Sequence, residues 1–180
     1  LGDNLDSIGR EKAGILRSGV PLVYGDAEPV GSIIELAQKL GAPLYLINKH
    51  FQWEITKDDC HWRWSGCNEN GALSVHELAI PALHLNNASI ALQTLSLLNI
   101  DLTKVSVQKA FKTIQFQGRQ EHRLDTETGV DVILDVAHNP AAAKFLAAAM
   151  SAKKAQYPEF SQISVVIAVM ADKDIEGIAL

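Results

Sequence analysis

The 180 residues contain only two cysteines, Cys60 and Cys67. His61 beside them suggests a metal clip, but a structural zinc site needs four ligands at a recognisable spacing, so both are read as free thiols. No apolar run approaches the roughly 20 residues that span a bilayer, and no basic stretch followed by an apolar one opens the chain, which argues against a membrane partner and for a cytoplasmic protein. Positive charge is in short supply too. With 16 Lys and Arg against 21 Asp and Glu, the formal net charge is −5, which argues against a duplex-binding surface because phosphate neutralisation needs clustered cations. Internal repeats, low-complexity tracts, a Gly-x-x-x-x-Gly-Lys loop and a Gly-x-Gly-x-x-Gly turn are all missing, so the chain has no loop able to cradle a nucleotide's phosphates unaided. It also lacks an initiating Met and opens inside a motif, which suggests a segment of a longer product.

What is present is ordinary for a globular protein: 47% hydrophobic and 21% charged residues, enough to bury a core. Residues 6–16 read as a short helix capped by Asp6 or Ser7 and punctuated by Gly14 and Gly19. Pro21 to Gly25 reads as a strand, Gly31 to Leu40 as a helix with an apolar stripe closed by Gly41, and Leu44 to Ile47 as a second strand. That alternation predicts a parallel α/β sheet covered by helices. Then the texture changes. Phe51, Trp53 and Ile55 alternate with polar residues, as do Trp62 and Trp64 after the Asp58-Asp59 break, which predicts an antiparallel hairpin or meander with cross-strand aromatic packing.

Asn87 to Leu98 and Val105 to Ile114 read as amphipathic helices, the second capped by Asp101 or Thr103. The polar stretch from Gln115 to Thr128 is the expected domain junction, placed near Gly118. Beyond it, Val130 to Val136 reads as a buried strand, Pro140 to Ala149 as an Ala-rich helix, and Ile163 to Met170 as a second buried strand, the start of a βαβ unit.

Three constellations could carry chemistry. Asp135-Val136-Ala137-His138-Asn139-Pro140 lies where a strand ends and a helix begins, the place where open α/β sheets bind ligands; equally, Asn139 could cap the helix with Pro140 in its first turn while Asp135 and His138 bond the loop. Gly118-Arg119 puts a planar guanidinium, matched to phosphate oxygens, at a possible hinge. Glu11-Lys12-Ala13-Gly14-Ile15 holds a lysine that could bind phosphate or, once carbamylated, ligate magnesium; as residue types, both basic side chains also suit an exposed surface.

Taken in order, Leu1-Gly2, then Ser7-Ile8-Gly9-Arg10-Glu11-Lys12-Ala13-Gly14-Ile15, Asn87-Ala88, Gly118-Arg119, Leu134-Asp135-Val136-Ala137-His138-Asn139-Pro140 and Asp172-Lys173-Asp174-Ile175 resemble the bacterial folylpolyglutamate synthase/dihydrofolate synthase family of the Mur ligase superfamily. The resemblance implies an α/β fold, with 1–118 the C-terminal part of a Mur-ligase-like central ATPase domain and 119–180 the start of a Rossmann-like C-terminal domain. It implies an ATP- and Mg2+-dependent ligase that joins L-glutamate to dihydropteroate and to folate glutamate tails through an acyl phosphate, monomeric at full length. By the same resemblance Lys12 is a carbamylated lysine supporting the magnesium, Asn87 and Asp135 contact adenosine, Arg119 reaches the phosphates, and His138 lies beside the nucleotide. The family's phosphate loop, metal-binding Glu and folate-binding residues are expected before Leu1, and much of its glutamate-binding domain after Leu180. One departure is local: Gln117 stands where the family usually has Pro. A cell-wall Mur ligase, another amide ligase of the superfamily and a non-catalytic binding pair stay open as alternatives.

Overall fold

The computed structural model describes residues 4–58, 60–81, 83–157 and 162–179. Its fold is α/β, and the chain divides between Ile114 and Gln115 into two compact units.

In the first unit, α1 (Leu5–Lys12) starts at Asn4, whose side chain accepts from the Ser7 amide while Ser7 bonds back to the Asn4 amide. Asn4, rather than the expected Asp6 or Ser7, is therefore the cap, because it is the last residue with extended backbone before the helix. Asp6 instead bonds the start of α2 (Gly31–Lys39): its backbone carbonyl accepts from Ser32 Oγ at 2.9 Å. Strands β1 (Leu22–Tyr24) and β2 (Leu44–Leu46) pair in parallel on either side of α2 in the sequence. Gly41, at φ 61°, ends that helix in the left-handed conformation that only glycine adopts freely.

The meander follows as β3 (Gln52–Ile55), β4 (His61–Asn68) and β5 (Gly71–Ala79), antiparallel in that order. Trp53 faces Trp64 and Ile55 faces Trp62 across β3 and β4. Trp62 and Trp64 are fully buried, and the Trp62 indole donates to the Ala79 carbonyl at 3.0 Å, so its one polar atom is satisfied in the core. Asp59 lies outside the described residues.

Helices α3 (Leu85–Leu97) and α4 (Val105–Thr113) complete this unit. Leu92 of α3 and Phe111 of α4 enter the same core as the tryptophans, Phe111 meeting Trp62 edge to face at 5.5 Å. Asp101 and Thr103 do not cap α4: Asp101 accepts from the Thr103 amide and hydroxyl and so closes a turn of its own ahead of Lys104.

The second unit holds the antiparallel pair β6 (Glu121–Leu124) and β7 (Asp131–Leu134), then α5 (Pro140–Gln156) and the short α6 (Ile175–Ala179). One stretch gains a strand here, and one expected strand is not formed among the described residues. The polar junction contains a strand, β6, because its backbone finds a ladder partner in β7 whatever its side chains are. Conversely, residues 163–170 lie outside any ladder, with Val165 72% and Val166 95% exposed. Their β-branched composition suits a strand, but no neighbouring strand among the described residues pairs with them, so the βαβ unit is not formed here. Among the described residues, no helix is long and apolar enough to cross a membrane.

Candidate functional site

In the second unit the backbone folds two of the singled-out segments onto each other. The Arg119 amide donates to the Phe116 carbonyl at 3.1 Å, closing a four-residue turn with Gly118 at φ 66° in its third position. The Val136 amide donates to the Gly118 carbonyl at 2.8 Å, joining the turn to the end of β7. Asp135 supplies a second tie: one carboxylate oxygen accepts from the Gln120 amide at 2.9 Å and the other from the Ala137 amide at 2.7 Å. The structure therefore brings Arg119, Asp135 and His138 into one backbone-tied neighbourhood.

Their side chains differ in availability. Arg119 is exposed, and among the described residues its guanidinium makes no ion pair. By contrast Arg123 is committed, gripping one Glu121 oxygen through Nε at 2.9 Å and Nη2 at 2.8 Å. His138 Nδ1 lies 2.9 Å from the Val136 carbonyl. A carbonyl can only accept, so Nδ1 carries the proton and Nε2 of the neutral ring is left as an acceptor. Asn139 caps α5 by accepting from the Ala142 amide at 2.9 Å, with Pro140 in the first turn.

The first unit holds Lys12 and Asn87 on different helices, α1 and α3, both exposed, with no hydrogen bond or ion pair between them. Asn87 lies in the first turn of α3. The residue that fixes that turn is Asn86, which sequence reasoning passed over. Its Oδ1 accepts from the Trp53 indole at 2.7 Å and its Nδ2 donates to the Gly25 carbonyl at 3.4 Å, just beyond β1. The start of α3 is thus held at the carboxyl end of a parallel strand, where ligands of such sheets bind. Glu121 was missed as well, as one charge in a polar stretch; the only signal was its place two residues before Arg123.

Lys12 lies in the last turn of α1. An ammonium has no lone pair, so a lysine offers a magnesium ion an oxygen donor only as a carbamate. Among the described residues no group of three His, Cys, Asp or Glu side chains could hold a metal ion, and both cysteines are free. The donors described here do not by themselves complete a metal site.

No protein-family model matches the chain. Over 177 residues it is 32% identical to the dihydrofolate synthase/folylpolyglutamate synthase of Escherichia coli, covering 98% of this chain and 39% of the relative. The Haemophilus influenzae protein of the same name is 27% identical, covering 99% and 42%. A crystal structure of the bifunctional folylpolyglutamate synthase/dihydrofolate synthase from Yersinia pestis, complexed with AMPPNP and a Mn ion, superposes with a TM-score of 0.82 at 31% identity, over 99% of this chain and 40% of that one. Escherichia coli FolC in complex with DHPP and ADP gives 0.78 at 32%, with the same coverage. The chain spans about two fifths of the length of the curated relatives it matches. Fold and neighbours together define an α/β chain of the Mur-ligase-like class. Within that class, the relatives it matches over nearly its whole length are folylpolyglutamate synthase/dihydrofolate synthases.

Proposed function

We propose that these residues form part of an ATP-dependent ligase that joins L-glutamate to dihydropteroate and to the glutamate tails of folates. In this reading ATP phosphorylates a substrate carboxylate, and the amine of glutamate displaces phosphate from the acyl phosphate. Residues 1–118 belong to the central ATP-binding domain and 119–180 to the C-terminal domain. Asn87 and Asp135 contact the adenosine, His138 lies beside the nucleotide, and Arg119 neutralises the phosphate oxygens as charge builds on them. Lys12, as a carbamate, contributes one oxygen to a magnesium ion, which when bound supplies further charge neutralisation at the phosphates. The protein works as a cytoplasmic monomer.

The observation that carries this reading is the state of Arg119. It is an exposed arginine with no ion pair among the described residues, displayed on a turn whose backbone is tied at Gly118, Arg119 and Gln120. A cation set on a hydrogen-bonded turn and left without an ion-pair partner among the described residues suits an external anion. The matched relatives, solved with AMPPNP or ADP, support the choice of anion.

The test is ligation by the protein that carries these residues. With ATP, Mg2+, L-glutamate and dihydropteroate it is expected to form dihydrofolate and release phosphate. Arg119→Ala is expected to lower kcat/KM for ATP by at least about tenfold, the equivalent of one lost charge-assisted contact. Unchanged turnover by that variant, or use of a UDP-linked muramyl substrate in place of dihydropteroate, would overturn the reading.

A further inference from the structure

Arg119 stands between two residues with left-handed backbone, Gly118 at φ 66° and Gln120 at φ 46°. Glycine enters that region freely, but a glutamine does so only when its surroundings hold it there. Two carboxylates do the holding. Asp135 takes the Gln120 amide, as described, and Glu121 Oε2 accepts from the Gly118 amide at 2.8 Å.

The remaining oxygen of Glu121 sits in the fork of Arg123, so that with the Gly118 amide on Oε2 both carboxylate oxygens are held. The Glu121 side chain is 22% exposed while Arg123 is 63% exposed, so the carboxylate is folded inward onto the turn and its partner covers it from outside. A surface ion pair on a strand has no need to reach a backbone amide three residues back. We propose that Glu121 is a positioning residue for Arg119: clamped by Arg123, it holds the Gly118 amide and so fixes the direction in which Arg119 meets phosphate oxygens. The proposal rests on the reading of Arg119 as a phosphate contact.

The Gly118 amide and the Arg123 guanidinium also hold the Glu121 carboxyl below the usual glutamate range. Arg123 is the cation in contact with it; Asp135, the other carboxylate at the turn, faces the Gln120 and Ala137 amides. The clamp is thus charged at neutral pH and released only in acid.

The experiment uses the full-length protein that carries these residues, isotopically labelled, and follows the Arg119 Nε–H and Gly118 amide resonances by NMR, with ATP and adenosine as separate probes. ATP is expected to move the Arg119 signal and adenosine to leave it in place. Glu121→Ala should weaken the ATP response about tenfold without changing the adenosine affinity. Glu121→Gln, which keeps an acceptor for Gly118 but loses the charged fork, should fall between. As pH drops through the lowered carboxyl range the Gly118 resonance should shift in the parent chain and stay flat in Glu121→Gln.

An equal loss of ATP and adenosine affinity in Glu121→Ala would mark a merely structural role and overturn the proposal. So would an unchanged ATP response in Glu121→Ala where Arg119→Ala abolishes it. If Arg119→Ala leaves the ATP response at Gly118 intact, or the full-length parent protein shows none, the phosphate reading of Arg119 fails and the proposal falls with it.

Discussion

At Gln117 the chain departs from the proline that the resemblance leads one to expect, and the turn around it accommodates either residue. The turn from Phe116 to Arg119 needs a left-handed third residue, which Gly118 supplies, and a closing hydrogen bond, which the Arg119 amide makes. Proline is favoured in the second position of such a turn because its ring presets the backbone angle, but it is not required. Among the described residues the Gln117 amide donates no hydrogen bond, so nothing is lost by removing it. Gln117→Pro is therefore expected to stabilise the second unit by about 0.4–1 kcal/mol, chiefly by restricting the unfolded chain. Urea denaturation followed by a probe in that unit checks it; a destabilised variant would mean that the turn is misassigned. The residue scale also shows the limit of sequence reading. Asp135 was legible as a polar group at a strand end, but not that both its oxygens bond backbone amides, since the Gln120 amide is 15 residues away and only the folded chain brings it near.

The elements that were legible are those whose pattern repeats locally. The stripe of α2 and the Trp53, Trp62 and Trp64 alternation each follow from one face meeting the core. What stayed hidden depends on a partner: β6 is a strand because β7 lies beside it, and 163–170 is not one because no strand among the described residues does. Within the meander the packing is sharp at Gly66, where an added Cβ would run into the Trp64 indole and the Gln93 amide oxygen. Gln93 cannot give way cheaply, since it bonds the Cys67 carbonyl at 2.7 Å in a buried position. Gly66→Ala should cost about 1–3 kcal/mol by overpacking, read as a lower melting temperature, and a variant as stable as the parent would contradict the close approach. In the second unit, α5 is fastened to β7 by the Lys153 ammonium on Asp131, and that hydrogen bond holds the Asp131 carboxyl below its ordinary range. A carboxyl lowered in the folded state adds stability that is present above its unfolded pKa, near 4, and is lost as pH falls through the lowered folded value. Asp131→Asn should thus destabilise the second unit at pH 7 by about 1 kcal/mol and hardly at all at pH 2. Urea midpoints at both pH values decide it, and an equal loss at the two would remove the charge from the explanation.

Across the whole molecule, the distribution of buried apolar surface sets what holds longest. The first unit buries Trp62, Trp64, Leu78 and Leu92 completely, in a core shared by all three meander strands and both α3 and α4. Among the described residues of the second unit none is fully buried, and Val165, Val166 and Met170 are at least 69% exposed. Apolar burial contributes on the order of 25 cal/mol per Å2 and is the main term opposing chain entropy, so opening should be far easier where little is buried. Helices and ladders in the second unit rest on caps, the Asp131 tie and backbone bonds, each of which contributes modestly once exchange with water is counted. Native-state hydrogen exchange should therefore find the slowest amides in β4, β5 and α3, leaving together, and measurably faster exchange throughout β6, β7 and α5. The turn that carries Arg119 lies in the faster set, so Glu121 and Asp135 matter more there than equivalent ties would in a dense core. Protection in β7 and α5 equal to that of α3 would show that the second unit draws stability from a source other than its own buried surface.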